Sequence, residues 1–102
     1  MAIFISRENI DRLGITGAQT TLTLTVAGTE YSYIVPEGCK RLIIGLRSGG
    51  YNFQYGWATG ATQFTVPAGS YRDISDVYLS GHTLFVKCAD ASAQTLEIEY
   101  WV

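Results

Sequence analysis

Residues that could do chemistry are few in this chain of 102 residues, and their spacing matches no familiar catalytic pattern. The one histidine, His82, could serve as a general base or a metal ligand. It stands in the sequence Ser-Gly-His-Thr between two predicted strands, which is typical of a turn. A nucleophilic triad also needs a serine or cysteine and an orienting acid, and the sequence has no GxSxG elbow. We therefore predict that His82 is a turn residue and that the chain is not an enzyme.

Carboxylates and thiols give no clearer site. Asp73, Asp76 and Asp90 could form an acid pair or a calcium site, but they lack EF-hand spacing, and aspartate is common in turns. Cys39 and Cys88 are too few for a disulfide framework and lack the paired CxxC spacing of a metal site. We predict that both are buried free thiols, while a disulfide between them stays open, and we predict no metal and no cofactor.

Four aromatic residues alternate along one run, Tyr51, Phe53, Tyr55 and Trp57. In an extended chain the period of two places all four on one face. We predict that Phe53 and Tyr55, in mid-strand, belong to a core wall and that Trp57, at the strand end, is partly exposed. The competing hypothesis is a carbohydrate platform formed by Tyr51, Tyr55 and Trp57, because aromatic rings stack on sugars as well as anchoring protein interfaces. If the three rings are exposed, the carbohydrate platform is favoured; if they are buried, the core wall is favoured.

The elements that must position these residues are strands. From residue 19 onward the chain repeats short alternating or apolar runs separated by Gly, Pro, Ser and Asp, which indicates an all-β domain. We predict a single-domain antiparallel β-sandwich, jelly-roll-like, of about eight strands over residues 19–102, with an N-terminal arm over residues 1–18. The first two strands should form a hairpin across Ala27-Gly28. The predicted strands are residues 21–26, 29–35, 41–47, 51–57, 63–66, 74–79, 83–88 and 95–102.

One tetrapeptide pattern occurs twice, as Val35-Pro36-Glu37-Gly38 and Val66-Pro67-Ala68-Gly69. Proline cannot donate a hydrogen bond to a strand ladder, so each copy marks a strand end. A solenoid needs several repeats to bury its core. We therefore predict that the two copies form the same corner twice and are not units of a repeat protein.

The composition predicts contacts with other proteins. Charged residues make up 16% of the chain and hydrophobic residues 47%, whereas charged residues are about 25% of an average soluble domain. A net charge of -2 with thinly spread basic residues argues against binding to nucleic acid or an anionic membrane. No apolar segment is long enough to span a bilayer, and the N-terminus lacks the pattern of a secretion signal. The surplus of hydrophobic over charged residues predicts that some apolar surface contacts another chain.

The pattern of corners and strands lies in Val35-Pro36-Glu37-Gly38, the run 42–57 with Gly60-Ala61, Val66-Pro67-Ala68-Gly69, and residues 79–86 and 97–101. Together these corners and strands resemble the small β-sandwich structural proteins of tailed bacteriophage particles. That resemblance covers about residues 30–102, and it implies a virion structural protein, most simply a capsid decoration or cement protein that assembles as a homotrimer on the major capsid protein. It implies localisation in the virion, assembled in the cytoplasm of the bacterial host, and it carries over no site residues.

The best contact candidates lie near the two ends of the chain and at the end of the aromatic run. Ile3, Phe4 and Ile5 form an apolar arm that would extend a neighbour's sheet by edge pairing. Trp101 lies among glutamates on the face of the last strand that is opposite its apolar face, and Trp57 completes the predicted interface. Two alternatives remain open: a carbohydrate-binding module of a tail appendage, and a head–tail connector or tail-completion protein that forms a ring.

Overall fold

The computed structural model describes residues 15–102, which form eight β-strands and no helix. The predicted contacts Ile3, Phe4 and Ile5, and most of the predicted arm, lie outside the described residues. No helix in the described part could cross a membrane. The strands are β1 (Gly17–Leu24), β2 (Tyr31–Ile34), β3 (Arg41–Leu46), β4 (Phe53–Gly56), β5 (Phe64–Val66), β6 (Tyr71–Ser75), β7 (Thr83–Lys87) and β8 (Gln94–Trp101).

The strands pair as one long antiparallel hairpin that is wound on itself. Strand β4 pairs with β5, β3 with β6, β2 with β7 and β1 with β8. Two further pairings, β3 with β8 and β4 with β7, join these pairs into sheet A (β1-β8-β3-β6) and sheet B (β2-β7-β4-β5). Eight strands wound into two sheets in this way make a jelly roll. The predicted antiparallel β-sandwich is therefore confirmed.

Alternating side chains fill the core between the two sheets. In β7, Leu84 and Val86 point inward, and in β8 Leu96 and Ile98 do the same. Burying one such side chain stabilises the fold by about 1.5–3 kcal/mol. The buried core residues are Leu24, Val35, Cys39, Leu42, Ile44, Phe53, Tyr55, Val66, Ile74, Leu79, Leu84, Val86, Cys88, Leu96 and Ile98.

The repeated tetrapeptide does form the same corner twice, as predicted. The amide of Cys39 donates to the carbonyl of Pro36, and the amide of Ser70 donates to the carbonyl of Pro67. The third residue of each turn has a positive φ, 81° at Gly38 and 78° at the equivalent glycine of the second copy. A type II turn requires a positive φ at that position, which glycine adopts without steric cost.

Two predicted strand features are wrong. The first two strands do not pair with each other, because β1 lies in sheet A beside β8 and β2 lies in sheet B beside β7. The turn between them forms, with the amide of Thr29 donating to Val26, but it carries the chain from one sheet to the other. The sixth strand is Tyr71–Ser75 and not residues 74–79, because Asp76 has a φ of 60° that ends the extended backbone.

Candidate functional site

One end of the sandwich collects most of the exposed aromatic side chains. Gly17, Trp101, Arg41 and Ser75 lie in register across this end of sheet A. The β2–β3, β4–β5 and β6–β7 connections therefore all turn at the same end, and Ile15 enters the fold there. Loops at one end of a rigid scaffold commonly carry binding residues.

At this end a hollow opens between the two sheets. The opening lies between β6, at the edge of sheet A, and β4 of sheet B, and the β6–β7 loop forms its rim. We call it the edge groove, a hollow of 360 Å³ at the small end of the range of ligand pockets. It is lined by Tyr55, Trp57, Arg72, Ile74, Val77, Tyr78, Leu79 and His82.

Arg72 ties the two walls of the edge groove together. Its Nε donates to the hydroxyl of Tyr55 across the gap between the sheets at 2.8 Å, and its Nη1 donates to the carbonyl of Asp73 at 2.7 Å. The hydroxyl of a tyrosine whose ring is in the core is thereby satisfied. The edge groove is thus a mainly apolar hollow with the Arg72 guanidinium fixed at its side.

Aromatic rings meet edge to face along the rim. The His82 ring lies between those of Trp57 and Tyr78, with centroid distances of 6.4 and 6.1 Å. The Trp57 ring also meets Tyr55 at 6.5 Å, and Phe64 stacks on Tyr55 at 5.8 Å. Such contacts hold the rings in place. His82 occupies the turn that was predicted, since its amide donates to the carbonyl of Leu79.

The rim residues remain open to solvent. Tyr78 is 80% exposed and Val77 58%, and Trp57 beside them is 38% exposed. Phe64, which lies outside the groove and stacks on Tyr55, is 66% exposed. Isolated apolar side chains on a surface are normal, but several in one patch mark an interaction site. The edge groove and its rim are therefore the leading candidate site.

The β4–β5 connection, residues 57–63, holds Trp57 in position by folding back over sheet B. A Cβ on Gly56 would lie 2.6 Å from the carbonyl carbon of Ala61, so only glycine lets the loop pass. The amide of Gly60 donates to both carboxylate oxygens of Glu30, at 3.1 and 3.2 Å. This loop covers part of the outer face of sheet B, and Thr62, which is part of it, is buried.

The predicted aromatic run divides between core and surface. Phe53 and Tyr55 are buried and Trp57 is partly exposed, as predicted. Tyr51, which is 40% exposed, lies before β4 and at the opposite end of that strand from Trp57. The rings proposed as a carbohydrate platform therefore do not share one exposed face. Asn52 beside them is already engaged, because it accepts a hydrogen bond from the amide of Ala68.

Trp101 lies on the outer face of sheet A and not in the edge groove. Its Nε1 donates to the Glu99 carboxylate at 2.9 Å, and its ring packs so closely on Gly17 that a Cβ there would lie 2.9 Å from it. The side chain is half-buried against its own sheet. A wide, shallow hollow of 770 Å³ runs along the same face past Glu97, Gly45 and Tyr71.

The ionisable groups whose pKa values are shifted lie outside the edge groove. Arg41 makes two hydrogen bonds to Asp73 on the outer face of sheet A, and this pairing lowers the pKa of that carboxyl and raises the pKa of the guanidinium. Burial raises the pKa of Tyr33 to about 12 and also raises the pKa of the Cys39 thiol. Cys39 and Cys88 are free and buried, as predicted, at opposite ends of the sandwich. Residues 15–102 contain no group of three or more metal-binding side chains.

The edge groove was missed from the sequence because its members come from three separate segments. The sequence pattern predicts a strand that includes Val77 and Tyr78, and it predicts no element for Arg72. One local signal exists: Asp76, a residue type common in turns, precedes three apolar residues, Val77, Tyr78 and Leu79, and the turn at Ser80-Gly81 follows them.

Comparison with known proteins adds no family to this picture. Neither a protein-family model nor any curated protein matches this sequence.

Proposed function

We propose that this chain is a structural protein of a tailed-phage particle, of the capsid decoration or cement type, which acts through surface contacts and not through chemistry. The observation that carries the proposal is the edge groove, where Trp57, Val77 and Tyr78 are exposed together on a rigid sandwich. Aromatic anchors that become fully desolvated when a partner binds supply most of the binding energy in protein interfaces. The sequence resemblance gives the partner class: the major capsid protein and further copies of this chain.

The jelly roll suits such a role because hydrogen bonds hold the end that carries the edge groove in one conformation. Arg72 links sheet A to sheet B, and the loop that carries Trp57 is fixed through the bond from Gly60 to Glu30. A preorganised surface loses little conformational entropy on binding. Contacts that bridge neighbouring capsid subunits add buried area and so oppose expansion of the shell.

The test is co-sedimentation with particles that lack this chain. The wild-type chain should sediment with them, and Val77→Asp should attach at least 10-fold more weakly, since a carboxylate would be desolvated in the groove. Ile34→Ser is the matched control, because Ile34 is 70% exposed on the outer face of sheet B, away from the groove. Failure of the wild-type chain to attach would contradict the proposal, and attachment only at the neck would favour a connector.

A carbohydrate-binding module of a tail appendage is the second candidate. The observation that favours it is the exposed pair of rings Trp57 and Tyr78 beside Arg72, because rings stack on sugars and a guanidinium donates to their hydroxyls. Saturable quenching of Trp57 fluorescence by bacterial surface oligosaccharides, abolished by Tyr78→Ser, would support this function over the first.

A further inference from the structure

The outer face of sheet A carries a second hollow, which shares no lining residue with the edge groove. Its volume is 770 Å³, within the range of about 300–1,000 Å³ that ligand pockets occupy. Thr21, Glu97, Gly45 and Tyr71 lie in register across the four strands, in that order. Because Gly45 has no side chain, this row is lowest between Glu97 and Tyr71. We call this hollow the sheet A hollow.

Two carboxylates of the sheet A hollow are oriented by hydrogen bonds. Trp101 Nε1 donates to Glu99 at 2.9 Å, and Arg47 Nε donates to Glu97 at 3.4 Å. The two glutamates are two residues apart in β8, so they share one face of the sheet. An ionised carboxylate has about four acceptor sites, so each keeps room for further donors. The hollow therefore offers oriented acceptors to a ligand that has several donors.

Hydrogen-bond donors lie beside these acceptors. Gln19 and Thr21 of β1 lie opposite Glu99 and Glu97, and Arg47 adds a guanidinium. An amide and a hydroxyl each donate and accept. Among the described residues the lining carries one positive charge against two negative ones, so it does not favour an anion such as a phosphate. The lining therefore suits a ligand that is uncharged and rich in hydroxyl groups.

An exposed aromatic ring and the open shape of the hollow indicate a sugar chain. Tyr71 is 69% exposed at the edge of the hollow, beside the space over Gly45. The C–H faces of a sugar ring stack on aromatic rings, while its hydroxyls bond to carboxylates and amides. The lining reaches from β1 to β6, which is three strand spacings or about 14 Å. Such a face fits a flat, extended chain of sugars, as equatorial linkages produce, and not a single enclosed sugar.

We propose that the sheet A hollow binds a neutral oligosaccharide of equatorially linked pyranose rings, with one ring against Tyr71 over Gly45 and hydroxyls bonded to Glu97 and Glu99. This goes beyond the proposed function, because it gives the chain a glycan ligand on a face that the edge groove does not include. One such site binds weakly, since the ligand replaces water at each exposed group. Many copies on one particle would hold a glycan surface by avidity.

The experiment follows the amide resonances of the isotope-labelled chain by NMR as cellotetraose or chitotetraose is added, with no particle present. Saturable shifts should centre on residues 19–21, 43–47 and 97–99, while the amides of Val77 and Tyr78 keep their positions. Maltotetraose, whose axial bonds curve the chain, is the matched ligand. It should bind about 10-fold more weakly, because a curved chain cannot reach the same hydrogen-bonding groups.

Two variants test the residues that the proposal names. Tyr71→Ser and Glu97→Gln should each raise the dissociation constant by about 10-fold, through loss of the stacked ring and of the ionised acceptor. Both should fold, because Tyr71 is exposed on an edge strand and the exposed pair of Glu97 with Arg47 contributes little to stability. Circular dichroism and melting temperature check this. Tyr78→Ser is the matched control, since Tyr78 is the exposed tyrosine of the edge groove, and it should leave the dissociation constant unchanged.

The absence of saturable shifts with both ligands would overturn the inference, and so would equal binding of maltotetraose. Shifts confined to Val77 and Tyr78, or equal weakening by Tyr78→Ser, would place the sugar in the edge groove and would also overturn it. Val77→Asp, which tests attachment to the particle, should leave sugar binding unchanged. The inference and the proposed function can therefore fail separately.

Discussion

The loop that carries Trp57 depends on a glycine in β4, and replacing it by alanine tests that dependence. A Cβ at Gly56 would lie 2.6 Å from the carbonyl carbon of Ala61 and closer still to its oxygen. Ordinary contacts between carbon atoms are about 3.5–4.0 Å, so the loop would have to move by about 1 Å. Overpacking of this kind costs about 1–3 kcal/mol, and backbone yields less than a side chain, so we expect about 2–3 kcal/mol.

Gly45→Ala is the matched control because Gly45 is also a strand glycine with an ordinary φ. A Cβ there would lie 3.2 Å from the Cβ of Tyr71, on edge strand β6, which can shift by the few tenths of an ångström required. The gain from restricting the unfolded chain, about 0.4–1 kcal/mol, offsets that strain. Gly45→Ala should therefore lie within about 1 kcal/mol of the wild-type chain.

Urea unfolding of the three proteins gives the comparison. Each kcal/mol should also move the melting temperature by about 4–8 °C in a domain of this size. Trp57 emission in native Gly56→Ala, measured in a Trp101→Phe background, should differ from that of the wild-type loop. If Gly56→Ala is as stable as Gly45→Ala, the loop does not cross over Gly56 and our account of how Trp57 is positioned is wrong.

Three further predictions concern the support of the site and the buried groups. Glu30→Gln should lower the free energy of unfolding by about 0.5–1.5 kcal/mol, because the ionised acceptor for the Gly60 amide is lost; an unchanged urea midpoint would contradict this. Burial raises the pKa of Tyr33 from 10.0 to about 12. The contribution of the neutral phenol to the free energy of unfolding is therefore complete below pH 10 and is lost as the pH rises through 12. Absorbance at high pH should show one late-ionising tyrosine that Tyr33→Phe removes. Cys39 and Cys88 should resist a thiol reagent in the native protein and both react after unfolding; a loss of two hydrogens in the intact mass under oxidising conditions would show instead that they pair.

The strands that could be predicted from the sequence are those whose two faces differ most in polarity. In β7 and β8, apolar side chains alternate with polar or charged ones, and each side chain has only one face on which it can be buried. The corners at Gly38 and Gly69 were predictable for a similar reason, since a local turn needs a local residue type. In both cases the determining interactions lie within a few residues of the chain.

Features that depend on distant residues could not be predicted in this way. The turn at Gly28 was recognised, but whether β2 pairs with β1 or with β7 is decided by burial on both sheets. The positive φ of Asp76 ended β6 early and turned Val77 and Tyr78 into rim residues. The edge groove arises only when β4, β6 and that loop are brought together, so no single segment contained its signal.

The central claim is that the edge groove is a buried contact in the assembled particle. The most direct measurement is an electron cryo-microscopy map of particles that carry this chain. The account predicts that Trp57, Val77 and Tyr78 lie inside a protein contact, with Ile34 on a solvent-facing surface. A map in which the groove faces solvent, or in which the sandwich is absent from the particle, would contradict it.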